Sequence, residues 1–304
     1  MTTGFVKLYH LNLTRSAPAA EAGEPLETAV RRRLRHVLWL GGSACSGKSE
    51  VARCLAASHG IAVYAADESF ERHRRAADPR VQRQFCRVGD LPPEQLWAAP
   101  AARQADDLRA FHREHLELIV GDLLRTSRGT PVLVEGACLL PARVAELIET
   151  PRQALWLVAT PAFRRRHYRR RGPWVAELLA RCPQPRRAFA RWMERDDVLA
   201  SWRIAEAERL GLKWWRIDGA GRGQAPAALA AAAAAHFGLG EGRSVETHFG
   251  PGEQRGAEMH FGLGDPRGVE TQEDRATAAA VEPPEVPAAG PAGACGGARG
   301  DNDA

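Results

Sequence analysis

Lysine is nearly missing from this chain. Of its 42 basic residues only Lys7, Lys48 and Lys213 are lysines, so the remaining cations are all arginine. Long apolar runs are missing as well. No stretch approaches the roughly 20 consecutive apolar residues of a bilayer-spanning helix, and Ser16 to Thr28, where a secretory leader would carry its apolar block, is Ala/Glu/Pro-rich and polar. The six cysteines (45, 54, 86, 138, 182 and 295) form no C-x-x-C pair and share no zinc-like spacing with histidine. That pattern argues against a disulfide framework or a zinc module, and for small buried thiols in a reducing cytoplasm. A cytoplasmic chain without a membrane partner is the expectation.

Charge is unevenly spread. The formal net charge is +5, yet residues 238–304 hold 12 acids against 5 arginines. The preceding body is therefore strongly basic and attracts polyanions, whether nucleotides or nucleic acid. Charge alone does not establish nucleic-acid binding, since a general preference for Arg over Lys produces the same excess.

Against the scarcity of lysine, the setting of Lys48 stands out. Gly42, Gly47, Lys48 and Ser49 fit G-x-x-x-x-G-K-[ST], preceded by the apolar run Val37 to Leu40 and followed by Val51, Cys54 and Leu55 at helical spacing, with Gly60 as a stop. In that strand–loop–helix context each residue type has a physical task. The glycines allow a tight turn whose N–H groups converge on phosphate oxygens, with Ser46 and Glu50 flanking the same turn. Lys48 supplies a mobile point charge for the terminal phosphates, and the Ser49 hydroxyl is a ligand for Mg²⁺. The helix N-terminus favours an anion.

Four further apolar runs read as buried strands: 61–65, 132–135, 154–158 and 213–217. Helical patterns separate them, notably about 104–127, 161–171, 185–210 and 226–236. Strands alternating with helices predict an α/β fold, a three-layer sandwich around a five-stranded parallel sheet. Its ligands would lie at the carboxyl ends of the strands, where Asp67, Glu135, Thr160 and Asp218 fall. Residues 1–35 read as a flexible arm ending in a solvated basic run, Arg31 to Arg35. Residues 238–304 read as a disordered tail. A 12-residue unit begins at His236 and recurs at His248 and His260, too short and too glycine-rich to stack as a solenoid.

The glycine-lysine loop, the acid after the second strand and Glu135-Gly136 after the third resemble the nucleoside-monophosphate-kinase-like P-loop kinases, the group of shikimate, gluconate and adenylate kinases, with the zeta-toxin and polynucleotide-kinase branches nearby. The stretches GGSACSGKS and WMERD are similar to those of actinobacterial proteins described as ATP-binding or kinase-like. There is no N-K-x-D guanine signature, and the third strand ends in Glu135-Gly136, not in the Asp-Glu of motor and transport ATPases.

The resemblance covers about 36–237. It implies an ATP- and Mg²⁺-dependent kinase acting on a small hydroxylated metabolite or nucleoside-type acceptor. Asp67, with Glu68 as the alternative, would take the acceptor proton. Glu135, where relatives carry Asp, would stand behind the magnesium. The insertion 68–131 would bind the acceptor, with Arg72, His73, Arg74, Arg75 and Arg87 available to an anionic one. Residues 161–195 would form a lid over ATP, six arginines (164, 165, 166, 169, 170 and 171) competing for its catalytic places and Arg166 chosen among them. Arg191 and Arg195 resemble the R-x-x-x-R-D lid helix, and Asp218 sits where the adenine loop lies. Two alternatives stand beside the kinase: a nucleotide-gated regulatory or binding ATPase, and a polynucleotide 5′-kinase, for which the basic body is the support.

Overall fold

The computed structural model describes residues 25–126, 129–168, 170–220 and 222–240. The sequence expectations for the first 24 residues and for the repeats and acidic tail beyond Gly240 lie outside the described residues.

Five parallel strands form one sheet: β1 (Val37–Gly42), β2 (Ala62–Ala65), β3 (Val132–Glu135), β4 (Ala154–Ala159) and β5 (Lys213–Ile217), in the order β2-β3-β1-β4-β5. Each strand expected from the sequence is present, within two residues at either end. β1 is central and wholly buried, pairing Leu40 with Glu135 on one side and Gly42 with Leu157 on the other. Its residues alternate between two apolar cores. Val37 and Trp39 join Val134, Trp156 and Val158 on one face, while Leu38 and Leu40 join Leu133, Leu155, Leu157 and Ile217 on the other. Burial on both sides is why the strands read as continuous apolar runs instead of alternating ones.

Eleven α-helices cover the two faces among the described residues. The second core packs against α2 (Lys48–His59) and α11 (Pro226–Phe237). α11 is nearly all alanine, with Pro226 in its first turn and Gly238 at φ +72° ending it, the asymmetry that Pro and Gly favour. The first core packs against α1 (Leu26–Leu34), α6 (Ala101–Thr126), α7 (Pro141–Ala145) and α10 (Pro185–Arg209). The arrangement is consistent with a three-layer α/β sandwich.

One boundary differs from the sequence expectation. The last part of the supposed flexible arm is helix α1, because Val30 and Leu34, one turn apart, bury against the first core. Arg31 and Arg32 do face solvent, Arg33 is half-buried, and Arg31 Nε donates to the Glu146 carbonyl at 2.8 Å.

Between β2 and β3 lie α3 (Phe70–Ala76), α4 (Arg83–Gly89), α5 (Pro93–Leu96) and then α6. Phe70, Phe85, Val88, Leu108 and Phe111 give this insertion its own core, closed by Leu199 of α10. After β4 come α8 (Pro161–Tyr168) and α9 (Pro173–Ala180). No helix among the described residues is long and apolar enough to cross a membrane.

Candidate functional site

The β1–α2 loop begins with a steric constraint. Gly42 stands at φ +143°, and a Cβ there would fall 1.9 Å from the Leu157 carbonyl oxygen. The next residue locks the loop to β4: Ser43 N donates to Leu157 O at 2.9 Å, and Ser43 Oγ accepts from Ala159 N at 2.8 Å. Cys45 at φ +58° and Gly47 at φ +81° then turn the chain left-handed into α2. No side chain caps that helix, so its first N–H groups remain available. The Ser43 carbonyl accepts from Ser46 Oγ at 2.9 Å and from Lys48 Nζ at 2.8 Å. The ammonium is thereby folded back over the loop, while Ser49 and Glu50 are exposed in the helix's first turn.

Two carboxylates approach from the neighbouring strands. The β1–β3 and β2–β3 registers bring the end of β3 beside the loop, and Glu135 accepts from Ser49 Oγ at 3.0 Å. Asp67 follows β2 in a turn fixed by Ala66 N donating to Glu135 O at 2.9 Å. Burial pushes the Glu135 carboxyl up to about 7 against the pull of Lys48. Asp67 is also raised by burial, with Lys48 and Arg171 pulling the other way, and its Oδ1 is buried without a partner. Burial lowers the Lys48 ammonium while both acids oppose that effect. One ammonium and two partly desolvated carboxylates therefore share a confined space, each carrying a perturbed proton affinity.

Two cavities open on either side of the loop. The smaller, about 90 Å³, is walled by Lys48, Asp67, His112, Arg171, Arg195, Asp196 and Arg203, with Tyr168, Leu108 and Leu199 beside them. The larger, about 430 Å³, has Cys45 to Glu50 as its floor and Phe163, His167, Arg170, Arg171 and Gln224 around it. Phe163 and His167 stack with centroids 3.8 Å apart. Lys48, Ser49 and Arg171 line both cavities.

Of the residues singled out in the sequence, Ser46, Gly47, Lys48, Ser49, Glu50, Asp67 and Arg195 line these cavities; Gly42 and Glu135 buttress them. Asp218 and Arg166 do not. Asp218 is tied into its own loop, where its carboxylate accepts from Ala220 N and Gln224 Oε1 accepts from Asp218 N and Gly219 N. Arg166 is exposed and lies 5.5 Å over the Phe163 ring. Helix phase explains the difference. Arg164, one turn after the helix start, points inward, is fully buried and bonds Asp197 and the Ala159 carbonyl. Arg165 and Arg166 then point out, and only after α8 ends at Tyr168 do Arg170 and Arg171 reach the cavities. Arg169 lies outside the described residues. Arg191 straps the Trp97 and Ala98 carbonyls.

The basic run considered for an anionic acceptor also serves elsewhere. Arg72 and His73 bond Asp122, Arg74 pairs with Asp90, and Arg87 pairs with Asp107. The cations that line the small cavity and not the larger one are instead Arg195 and Arg203. With Leu199 between them they repeat every four residues along α10, and Leu108 and His112 repeat likewise along α6. A basic residue recurring on the inward stripe of a helix was the signal available in the sequence. His112, His167 and Gln224 carried no such signal.

No protein-family model matches the chain, and no curated protein matches it.

Proposed function

We propose that the chain is an ATP- and Mg²⁺-dependent phosphotransferase of the P-loop kinase type, passing a phosphoryl group to an alcohol acceptor. In this reading the β1–α2 loop is the P-loop, the insertion between β2 and β3 lines the acceptor side, and α8–α9 form the lid. The carrying observation is the cluster of Lys48, Ser49, Glu135 and Asp67, gathered where an unpaired helix N-terminus and a left-handed loop meet two cavities. ATP would occupy the larger one, its base against the Phe163–His167 pair and its phosphates over Gly47 to Ser49. The acceptor would sit in the smaller one.

Mg²⁺ fits the donor set, since Ser49 and Glu135 already meet through a hydrogen bond and Asp67 has a buried oxygen without a partner. When bound, it would neutralise phosphate charge. The protein's own groups supply the rest. Asp67, its carboxyl raised toward neutrality, accepts the acceptor's hydroxyl proton. The hydroxyl oxygen forms a bond to the γ-phosphorus as the bridging P–O bond breaks, and ADP leaves. Lys48 and Arg171, which line both cavities, offset the charge spread over the transferring oxygens.

The test is Lys48→Ala in the full chain. The expected result is a normal far-UV spectrum with Mg·ATP affinity and phosphoryl transfer reduced by more than about a hundredfold. Unchanged transfer, or calorimetry showing that wild type ignores both Mg·ATP and Mg·GTP, removes the reading. ATP bound without acceptor-dependent ADP release across a metabolite panel would favour a nucleotide-gated binding protein.

A further inference from the structure

Arg203 is a buried cation whose surroundings answer its charge only in part. Its side chain sits in the middle of α10, is 3% exposed, and lines the small cavity. One guanidinium nitrogen donates to the Ala137 carbonyl at 2.8 Å and stands 3.5 Å from His112 Nδ1. Its Nε is buried with no partner, and among the described residues it makes no ion pair: Asp196 favours its charge from nearby but is bonded to Arg195 and Tyr168. The histidine offers no negative charge: burial holds His112 well below its usual range, so the ring is neutral. Burial also pulls Arg203 down, to about 10, which still leaves it charged at neutral pH. A buried, uncompensated cation is costly unless an anion meets it.

The neighbouring cations do not share this condition. Arg195 is neutralised by Asp196, whose Oδ1 accepts both its Nε and Nη2, and it lies 4.7 Å over the Trp97 ring. Lys48 and Arg171 line both cavities and are committed to the triphosphate in the reading above, on which this inference rests. Arg195 and Arg203 belong to the small cavity alone. Asp67 lies on the same cavity, so a ligand filling it would bring a hydroxyl to the carboxylate and its other end to the arginines. At about 90 Å³ the space is on the order of three waters, enough for an oxyanion and a short carbon chain.

We propose that the acceptor is a small hydroxylated anion, whose oxyanion is bound by Arg203 with Arg195 while its hydroxyl faces Asp67. A guanidinium donates in a planar fork that fits either carboxylate or phosphate oxygens, so both kinds of acceptor share this chemistry. Arg203 is a substrate-binding residue in this assignment, and it discriminates charged acceptors from neutral alcohols of the same size.

The experiment uses the full chain and two titrations. Nucleotide binding is measured first, with Mg²⁺ and a non-hydrolysable ATP analogue. The loaded protein is then titrated with charge-matched pairs: glycolate against ethylene glycol, glycerate against glycerol, and glycerol 3-phosphate against glycerol. The expected result is that at least one charged probe binds about tenfold or more tighter than its neutral partner. The carboxylate and phosphate arms identify which oxyanion is preferred. Arg203→Met should erase that preference without changing affinity for the nucleotide analogue, and Arg203→Lys, which keeps the charge if Met disturbs packing, should retain part of it. Equal binding of neutral and charged probes, no binding by any charged probe, or a loss of nucleotide affinity in Arg203→Met with acceptor preference intact overturns the proposal. Failure of the nucleotide titration alone would remove the kinase reading, while anion binding by the unloaded protein would still report on Arg203.

Discussion

Replacing Glu135 by Gln should make the nucleotide-free protein more stable at pH 8, although the substitution lies in the candidate site. Glu135 is 5% exposed, and its carboxyl is raised from the usual 4.5 to about 7 by burial, a balance that already includes attraction to Lys48. The folded state therefore binds this proton more tightly than the unfolded state. The associated stability is fully present below about pH 4.5 and is lost as pH rises through about 7. At 1.36 kcal/mol for each pH unit, the interval corresponds to roughly 3 kcal/mol withdrawn by pH 8.

A glutamine keeps the shape and carries no charge at any pH. Its bond from Ser49 Oγ is neutral instead of charge-assisted, a difference already contained in the value of about 7, so the expected gain is roughly 2–3 kcal/mol. For a domain of this size that is about 5 °C in Tm. The assay is thermal and urea unfolding, followed by tryptophan fluorescence in chelator-treated protein from pH 5 to pH 8. The variant should melt above wild type at pH 8, and the advantage should shrink toward zero at pH 5. A variant that melts at or below wild type at pH 8, or an advantage that is the same at both pH values, would show that Glu135 is not held against a desolvation cost. Added Mg·ATP should stabilise wild type more than the variant, because the ion would relieve the same buried charge.

Two glycines of the loop should separate fold from site. Gly42→Ala drives a Cβ into the Leu157 carbonyl, so more than about 3 kcal/mol of stability or soluble expression itself should be lost; Gly47→Ala meets nothing within 4 Å and pays only for φ +81°, about 1–2 kcal/mol, and should remain folded with weakened Mg·ATP affinity. Urea titrations of both variants check the contrast, and equal losses would contradict the assigned loop geometry. Asp122→Asn should cost about 2–4 kcal/mol, because one buried carboxylate serves Tyr64, Arg72, His73 and Arg125. Burial pushes that carboxyl up, but hydrogen bonds from His73, Arg72 and Tyr64 outweigh it and hold it well below the usual range. Its stability contribution is present above about pH 3.8 and lost as pH falls below that, so the variant should unfold with a flatter acid limb than wild type.

The sheet and the first half of the site were legible because local chemistry determines both. Apolar runs between helical patterns identify buried parallel strands, and a strand feeding Gly42-x-x-x-x-Gly47-Lys48-Ser49 fixes the loop before any tertiary contact is known. Glu135 and Asp67 lie at strand ends, where every carboxyl terminus of a parallel sheet reaches the same edge, and the resemblance chose them among the acids there. Asp218, another such acid, and Arg166 line neither cavity, Arg166 for a reason of helix phase. Six arginines within eight residues carry no phase until the first turn of α8 is seated, and seating depends on Arg164 reaching Asp197, 33 residues away.

The same limit explains the acceptor side. Arg72, Arg74 and Arg87 look available in sequence because their partners, Asp122, Asp90 and Asp107, come from other helices. Arg203 shows in sequence only as a basic residue on the inward stripe of α10, and folding leaves it buried without an ion pair among the described residues. Charge counted along a chain measures supply, whereas a binding site depends on what remains after the fold has paired the rest. In this insertion Arg72, Arg74 and Arg87 are taken up by carboxylates within reach. On the inward stripe of α10 Arg195 is paired with Asp196 while Arg203 has no ion pair, and Asp67 lines the same small cavity. A short anion with a hydroxyl at one end would satisfy both walls of that cavity at once. A neutral alcohol of the same length would leave Arg203 as it stands, buried and unanswered.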